Sequence, residues 1–224
     1  MIRANVCHWG KKEWIAIAKS VFSSNTAVAK SQQALTQLLS ERYQSQIILM
    51  NSARAAIQIG LEYAGTNAPH THEVLIPEYI CRSVPDIIQE TGCVAVSVPV
   101  NESLNIDHTV IDRFITDKTR AVIAPHMYSC PADIQKIAQV CQEKNVFLID
   151  DAAQVAGIHV SGKPLGTYGD MGVLSFAQAK TIVTGVQGSG GVLITNNQAL
   201  YQYIEQNIKL PKSTSRWSNL IHFL

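Results

Sequence analysis

AVIAPHMYSCPADIQKIAQVCQEKNVFLIDDA, residues 121–152, decides the reading of the fold. Two apolar runs, AVIAPHMY and VFLIDDA, flank PADIQKIAQVCQEKN, whose apolar residues recur at helical spacing. Strand, amphipathic helix and strand in that order predict a parallel pair joined by a crossover helix. The alternation continues outward. Upstream stand the strand QIILM (46–50), the helix SARAAIQIGLEYA, the strand EVLIP (73–77), a helix around SVPDIIQETG, the strand CVAVSVPV and a helical VIDRFIT. Downstream come a loop containing SGK, then the strands VLSFA and GGVLITN. Residues 12–42 read as helical, with the polar stretch SSNT ending one helix and starting another. Strands that are apolar along their whole length must be covered on both faces. The expectation is an α/β fold with a mostly parallel central sheet and helices on both faces.

Composition narrows the function classes. Lys plus Arg number 18 and Asp plus Glu 17, a formal charge of +1 that offers nothing to nucleic acid or an acidic membrane. With 46% hydrophobic and 16% charged residues the chain reads as a well-packed globular protein. Cys7, Cys81, Cys93, Cys130 and Cys141 are scattered and form no C-x-x-C pair, which argues against a disulfide framework or a structural zinc site. Lys11, Lys12 and Glu13 interrupt any apolar signal core, and no apolar run approaches spanning length. These features predict a cytoplasmic protein without a metal.

In open α/β sheets ligands bind beyond the carboxyl ends of the strands, so the residues just after each strand are where chemistry is expected. Those positions hold Ser52-Ala53-Arg54, Cys81, His126, Asp150-Asp151 with Gln154, and Ser175 to Lys180. Small residues at 52–53, beside a helix start, suit an anion cradle of free amides. A carboxylate, a hydroxyl and a lysine converge on the same edge. Together they suggest a phosphorylated cofactor with an aldehyde, held by Lys180 as a Schiff base. The alternative for Lys180, inside LSFAQAKTIVTGVQGSGG (174–191), is a solvated lysine beside a glycine-rich turn.

LIDDAAQVAG (148–157) followed by KPLGTYGDMGVLSFAQAK (163–180) resembles the DegT/DnrJ/EryC1/StrS family of pyridoxal-phosphate-dependent sugar aminotransferases, whose forms are close to E-D-A-A-Q, L-G-x-x-G-D-x-G and F-S-F-x-x-x-K. VLIPEYICRSVPDIIQETGCVAVSVPV (74–100), LNID (104–107) and PHMYSCPADI (125–134) look like that family's upstream segments in the same order, so the resemblance covers roughly 45–200. It implies the large domain of a fold-type I transferase with pyridoxal 5'-phosphate. Lys180 matches the lysine that anchors the cofactor and shuttles the proton, and Asp151 matches the aspartate that pairs with the pyridine nitrogen. Strand alternation lets only one of Asp150 and Asp151 face the ring, and the match to D-A-A-Q selects Asp151. Gln154 matches a donor near the ring hydroxyl and Ser175 a phosphate-binding serine. Ser52, Ala53 and Arg54 align with a turn, commonly S-G-T, whose backbone amides bind phosphate. His126 falls in the family's H-x-Y-G and reads equally as a core or a substrate-side histidine.

The chain departs from that pattern in places. Cys81 stands where the family has a stacking aromatic, Ala179 where a hydroxyl often precedes the lysine, Thr181 where an asparagine follows it, and Ser129 replaces the glycine of H-x-Y-G. The family's smaller second domain is not recognisable after residue 200. The expected organisation is therefore an N-terminal helical segment 1–44, a cofactor-binding domain 45–200 and a helical tail 201–224, which includes Trp217, Leu220, Ile221, Phe223 and Leu224. The function implied is transfer of an amino group from a donor such as glutamate to a nucleotide-linked keto sugar, in a homodimer. The alternative is an inactive cofactor-binding fragment that needs a partner chain. Dehydration of a deoxysugar is disfavoured, because that branch of the family carries histidine at the position of Lys180.

Overall fold

The computed structural model describes residues 10–12, 15, 19, 24–177, 180 and 190–207. Helix α1 (Asn25–Tyr43) begins inside SSNT, where the Ser24 hydroxyl accepts the amide of Ala27 at 3.2 Å. It ends at Gln44, whose left-handed φ of 50° turns the chain into strand β1 (Gln46–Met50). There follow α2 (Ala53–Asn67), β2 (Glu73–Pro77), α3 (Ser83–Glu90), β3 (Val94–Val98), β4 (Thr119–Pro125), α4 (Ile134–Lys144) and β5 (Phe147–Asp151). Two short strands, β6 (His159–Val160) and β7 (Lys163–Pro164), precede β8 (Met171–Ser175), β9 (Gly191–Thr195) and α5 (Gln198–Asn207).

Seven strands form one sheet in the order β1, β9, β8, β5, β4, β2, β3. The pairs from β3 through β2, β4 and β5 to β8 are parallel, and β9 alone runs antiparallel, between β8 and β1. Period-two alternation sends each strand's side chains to both faces. Val122 and Ala124, Leu148, and Val192 and Ile194 join one core, with Leu39 and Tyr43 of α1 and Ile134, Ile137 and Cys141 of α4. Ala121 and Ile123, Ile149, and Leu193 join the other, with Ile57 and Leu61 of α2, Ile87 and Ile88 of α3 and Leu200 and Ile204 of α5. The result is three layers, helices on both faces of a mostly parallel sheet.

Three local readings change. AVIAPHMY is strand only to Pro125, after which residues Met127–Ser129 make a 3-10 turn. The cause is a side chain from another loop: buried Asn105 accepts the amide of Met127 at 2.8 Å and donates to the carbonyl of Cys130 at 3.0 Å. VIDRFIT tightens to a 3-10 turn over Ile111–Phe114. The loop containing SGK is the tip of the β6–β7 hairpin, with Ser161 at φ 48° and Gly162 at φ 80°. Two successive positive φ values are what a two-residue hairpin turn requires.

The segment LGTYGDMG packs against β5 rather than reaching for a ligand. Asp150 Oδ2 accepts the amides of Gly166 at 2.7 Å and Tyr168 at 3.0 Å, and Asp170 Oδ2 accepts the amide of Leu148 at 2.8 Å. A Cβ at Gly172 would sit 1.8 Å from the Gly166 carbonyl oxygen, so a side chain there would prise the loop off the sheet.

Candidate active site

Two cavities stand at opposite ends of the strands. The larger, about 780 Å³, opens at their amino ends among residues such as Thr119, Phe147 and Asp170. The smaller, about 330 Å³, lies at the carboxyl ends, and Ser52, Ala53, Arg54, Asp151, Gln154, Ser175 and Lys180 all line it. The second is where strand polarity places chemistry in such sheets, and it collects every residue the sequence assigns to cofactor binding.

The anion cradle forms at the start of α2. Ser52 caps the helix: its hydroxyl accepts the amide of Ala55 at 3.1 Å and its carbonyl that of Ala56 at 3.3 Å. The amides of Ala53 and Arg54 are thereby left without an intrahelical acceptor, at the positive end of the helix dipole. β9 starts directly behind them. A Cβ at Gly191 would lie 2.4 Å from the Ala53 nitrogen, so only glycine lets strand and helix end close together. Ser175, buried at the end of β8, brings its hydroxyl to the same cavity, where it accepts the amide of Ala177 at 3.3 Å. Free amides and hydroxyls beside a helix N-terminus fit a phosphate.

At the other end of the cavity the paired aspartates diverge. Asp150 is fully buried against the far face, where Oδ1 meets His126 Nε2 at 2.7 Å. Asp151 lines the cavity and accepts the amide of Ala153 at 3.0 Å. Burial pushes the Asp151 carboxyl up from its ordinary range, against the pull of the Ala153 amide and of the Lys180 charge. A carboxylate pressed this way favours its ionised form again once a cation docks against it. The residues therefore fit a ring carrying a protonated nitrogen at Asp151 and a phosphate at Ser52–Arg54 and Ser175.

His126 lines the cavity, yet both of its nitrogens are engaged. Nδ1 accepts the amide of Ala132 at 2.9 Å, so the proton sits on Nε2 and is donated to Asp150. It acts as a wall held by Asp150. Gln154 is steered by the turn after β4: its Oε1 accepts the amide of Tyr128 at 3.2 Å, and Nε2 approaches Met127 Sδ at 3.7 Å. Tyr128 and Ser129 reach that geometry with φ of 48° and 65°, which explains why glycine suits the position of Ser129. Cys81 lines the cavity with its Sγ 3.2 Å from Ser83 Oγ. Hydrogen bonds from Ser83 pull this thiol below its ordinary range, helped by the charges of Lys180 and Arg54. Lys180 donates its amide to the Ala177 carbonyl at 3.3 Å; Ala179 and Thr181 lie outside the described residues, as does the tail beyond Asn207.

Three of these placements had no sequence-level signal beyond a resembling segment. Asn105, inside LNID, sets the turn that positions Gln154. Asp150 orients His126 and pins Gly166. Ser83 partners Cys81. No helix among the described residues is long and apolar enough to cross a membrane.

Known proteins share this fold. GDP-perosamine synthase of Escherichia coli O157:H7 is 35% identical over 130 residues, covering 58% of this chain and 35% of that protein. The solved sugar aminotransferase CalS13 from Micromonospora echinospora superposes with a TM-score of 0.78 at 23% identity, over 97% of this chain and 61% of the other. The E. coli GDP-4-keto-6-deoxy-D-mannose-3-dehydratase, solved with bound hydrated pyridoxal phosphate, gives a TM-score of 0.73 at 19% identity, over 92% of this chain and 54% of the other. This chain thus spans less than two thirds of the length of each, and the shared fold is that of the fold-type I pyridoxal-phosphate transferases. A profile of that sequence family matches residues 12–219, and the chain belongs to the DegT/DnrJ/EryC1/StrS aminotransferase family.

Proposed function

We propose that the chain is the cofactor-binding part of a sugar aminotransferase that moves an amino group from an amino acid such as glutamate to a nucleotide-linked keto sugar. The observation that carries this reading is the convergence of Lys180, Asp151, Gln154, Ser175 and the Ser52–Arg54 turn on one cavity at the carboxyl edge of the sheet. Pyridoxal phosphate would be held there by its phosphate at Ser52, Ala53, Arg54 and Ser175 and by its ring nitrogen at Asp151. When bound it supplies an electron-withdrawing ring that stabilises negative charge on the carbon bearing the amine. Lys180 would anchor it covalently, and its Nζ would accept and donate the proton moved during transfer. Asp151, ionised, would face the ring nitrogen and favour its protonated form. Gln154 would orient the ring by a hydrogen bond to the ring hydroxyl. The cofactor-binding domain extends over 45–200 and works as a cytoplasmic homodimer.

Titration of the purified chain with pyridoxal phosphate, followed by visible absorbance, tests the anchor. The wild type gains an absorbance band that Lys180→Ala lacks, and borohydride reduction followed by mass spectrometry puts the cofactor's mass on Lys180. A band that survives in Lys180→Ala sinks the assignment.

A further inference from the structure

We infer that the side chain of Arg54, beyond its amide, is a charged clamp for the phosphate of the bound cofactor. This rests on the cofactor assignment above and deepens it. The aligned family turn, commonly S-G-T, carries a neutral hydroxyl at this point, whereas here a guanidinium projects from the first turn of α2.

The placement is electrostatically unfavourable without an anion. Cations belong at helix C-termini, because the N-terminus already carries about half a positive charge. The first turn of α2 contains no acidic residue to offset Arg54. Among the described residues Arg54 makes no ion pair, although it lines the cavity, and Lys180 lines the same cavity. Arg54 and Lys180 both act on the Cys81 thiol, and Lys180 acts on Asp151 as well. Asp151 is the one carboxylate in the described lining, and it is committed to the opposite end of the cavity. Two side-chain cations and a helix N-terminus facing a single carboxylate leave a surplus of positive charge. A phosphate dianion cancels that surplus, and a guanidinium fork matches its oxygens in pairs.

The test compares binding of pyridoxal phosphate and of pyridoxal, which lacks the phosphate, to wild type, Arg54→Gln and Arg54→Lys. Arg54→Gln weakens pyridoxal phosphate by roughly ten- to a hundredfold, as loss of a charge-assisted contact does, and leaves pyridoxal unchanged. Arg54→Lys recovers part of the loss, since it keeps the charge and loses the fork. Without cofactor, Arg54→Gln melts at a temperature equal to or higher than wild type, because it removes a cation from a helix N-terminus. Equal weakening of both ligands, or unchanged pyridoxal phosphate affinity, overturns the inference. If wild type itself takes up no pyridoxal phosphate, the functional reading fails, and that result is distinct from either.

Discussion

Ser129 concentrates the strain of the site in one residue. With φ at 65° directly after Tyr128 at 48°, it occupies backbone that costs a residue with a Cβ about 1–2 kcal/mol. Its hydroxyl returns little, since its contact with the Gln154 carbonyl spans 3.4 Å. Glycine would remove the steric cost but add about 0.5–1 kcal/mol of unfolded-state entropy. The balance predicts that Ser129→Gly stabilises the cofactor-free chain by about 0.5–1 kcal/mol, raising its melting temperature by about 1–4 °C for a chain of this size. Calorimetry reads this directly. Arg54 differs in kind: its placement at a helix N-terminus costs stability and acquires meaning only with a bound anion, so its test is a binding test.

At the scale of elements, one carboxylate ties three of them. Asp150 on β5 holds His126 after β4 and the amides of Gly166 and Tyr168 in the loop before β8. Asparagine keeps its shape but turns one acceptor into a donor facing those amides. Leaving those buried donors without their charged acceptor costs about 1–3 kcal/mol. Asp150→Asn should show that loss as a lower urea midpoint with an unchanged slope; a midpoint within error of wild type would refute the clamp. The elements themselves were largely legible in the sequence: QIILM and EVLIP are β1 and β2 to the residue, because continuous apolar runs between turn residues leave few other options. That the two aspartates face opposite ways followed from strand alternation, and the resemblance to D-A-A-Q selected Asp151 for the cavity. What escaped was set by long-range contacts with no local pattern. The amide of Met127 is captured by Asn105 from 22 residues away, which ends β4 early and fixes Gln154. The antiparallel direction of β9 was equally hidden, since GGVLITN reads the same in either direction of pairing.

For the molecule as a whole, a formal charge of +1 makes general charge repulsion a small influence on stability near neutrality. Buried carboxyls take its place. Burial raises both Asp151 and Asp170, so the folded, cofactor-free chain holds their protons more tightly than the unfolded chain does. In the unfolded chain they titrate near the ordinary value of about 3.9. The stability each contributes is therefore complete below that value and is lost as pH rises through the raised folded value. Asp151→Asn cannot ionise and escapes its share of the loss, while Asp170 continues to impose its own. Urea unfolding of both proteins between about pH 4 and pH 7 should show wild type losing stability more steeply than Asp151→Asn. Saturating pyridoxal phosphate should flatten the wild-type curve, since a protonated ring nitrogen beside Asp151 makes the ionised carboxylate the favoured form. Curves that run parallel with and without the substitution would mean that Asp151 is not the group held up by burial, and its pairing with the ring nitrogen would lose its electrostatic basis.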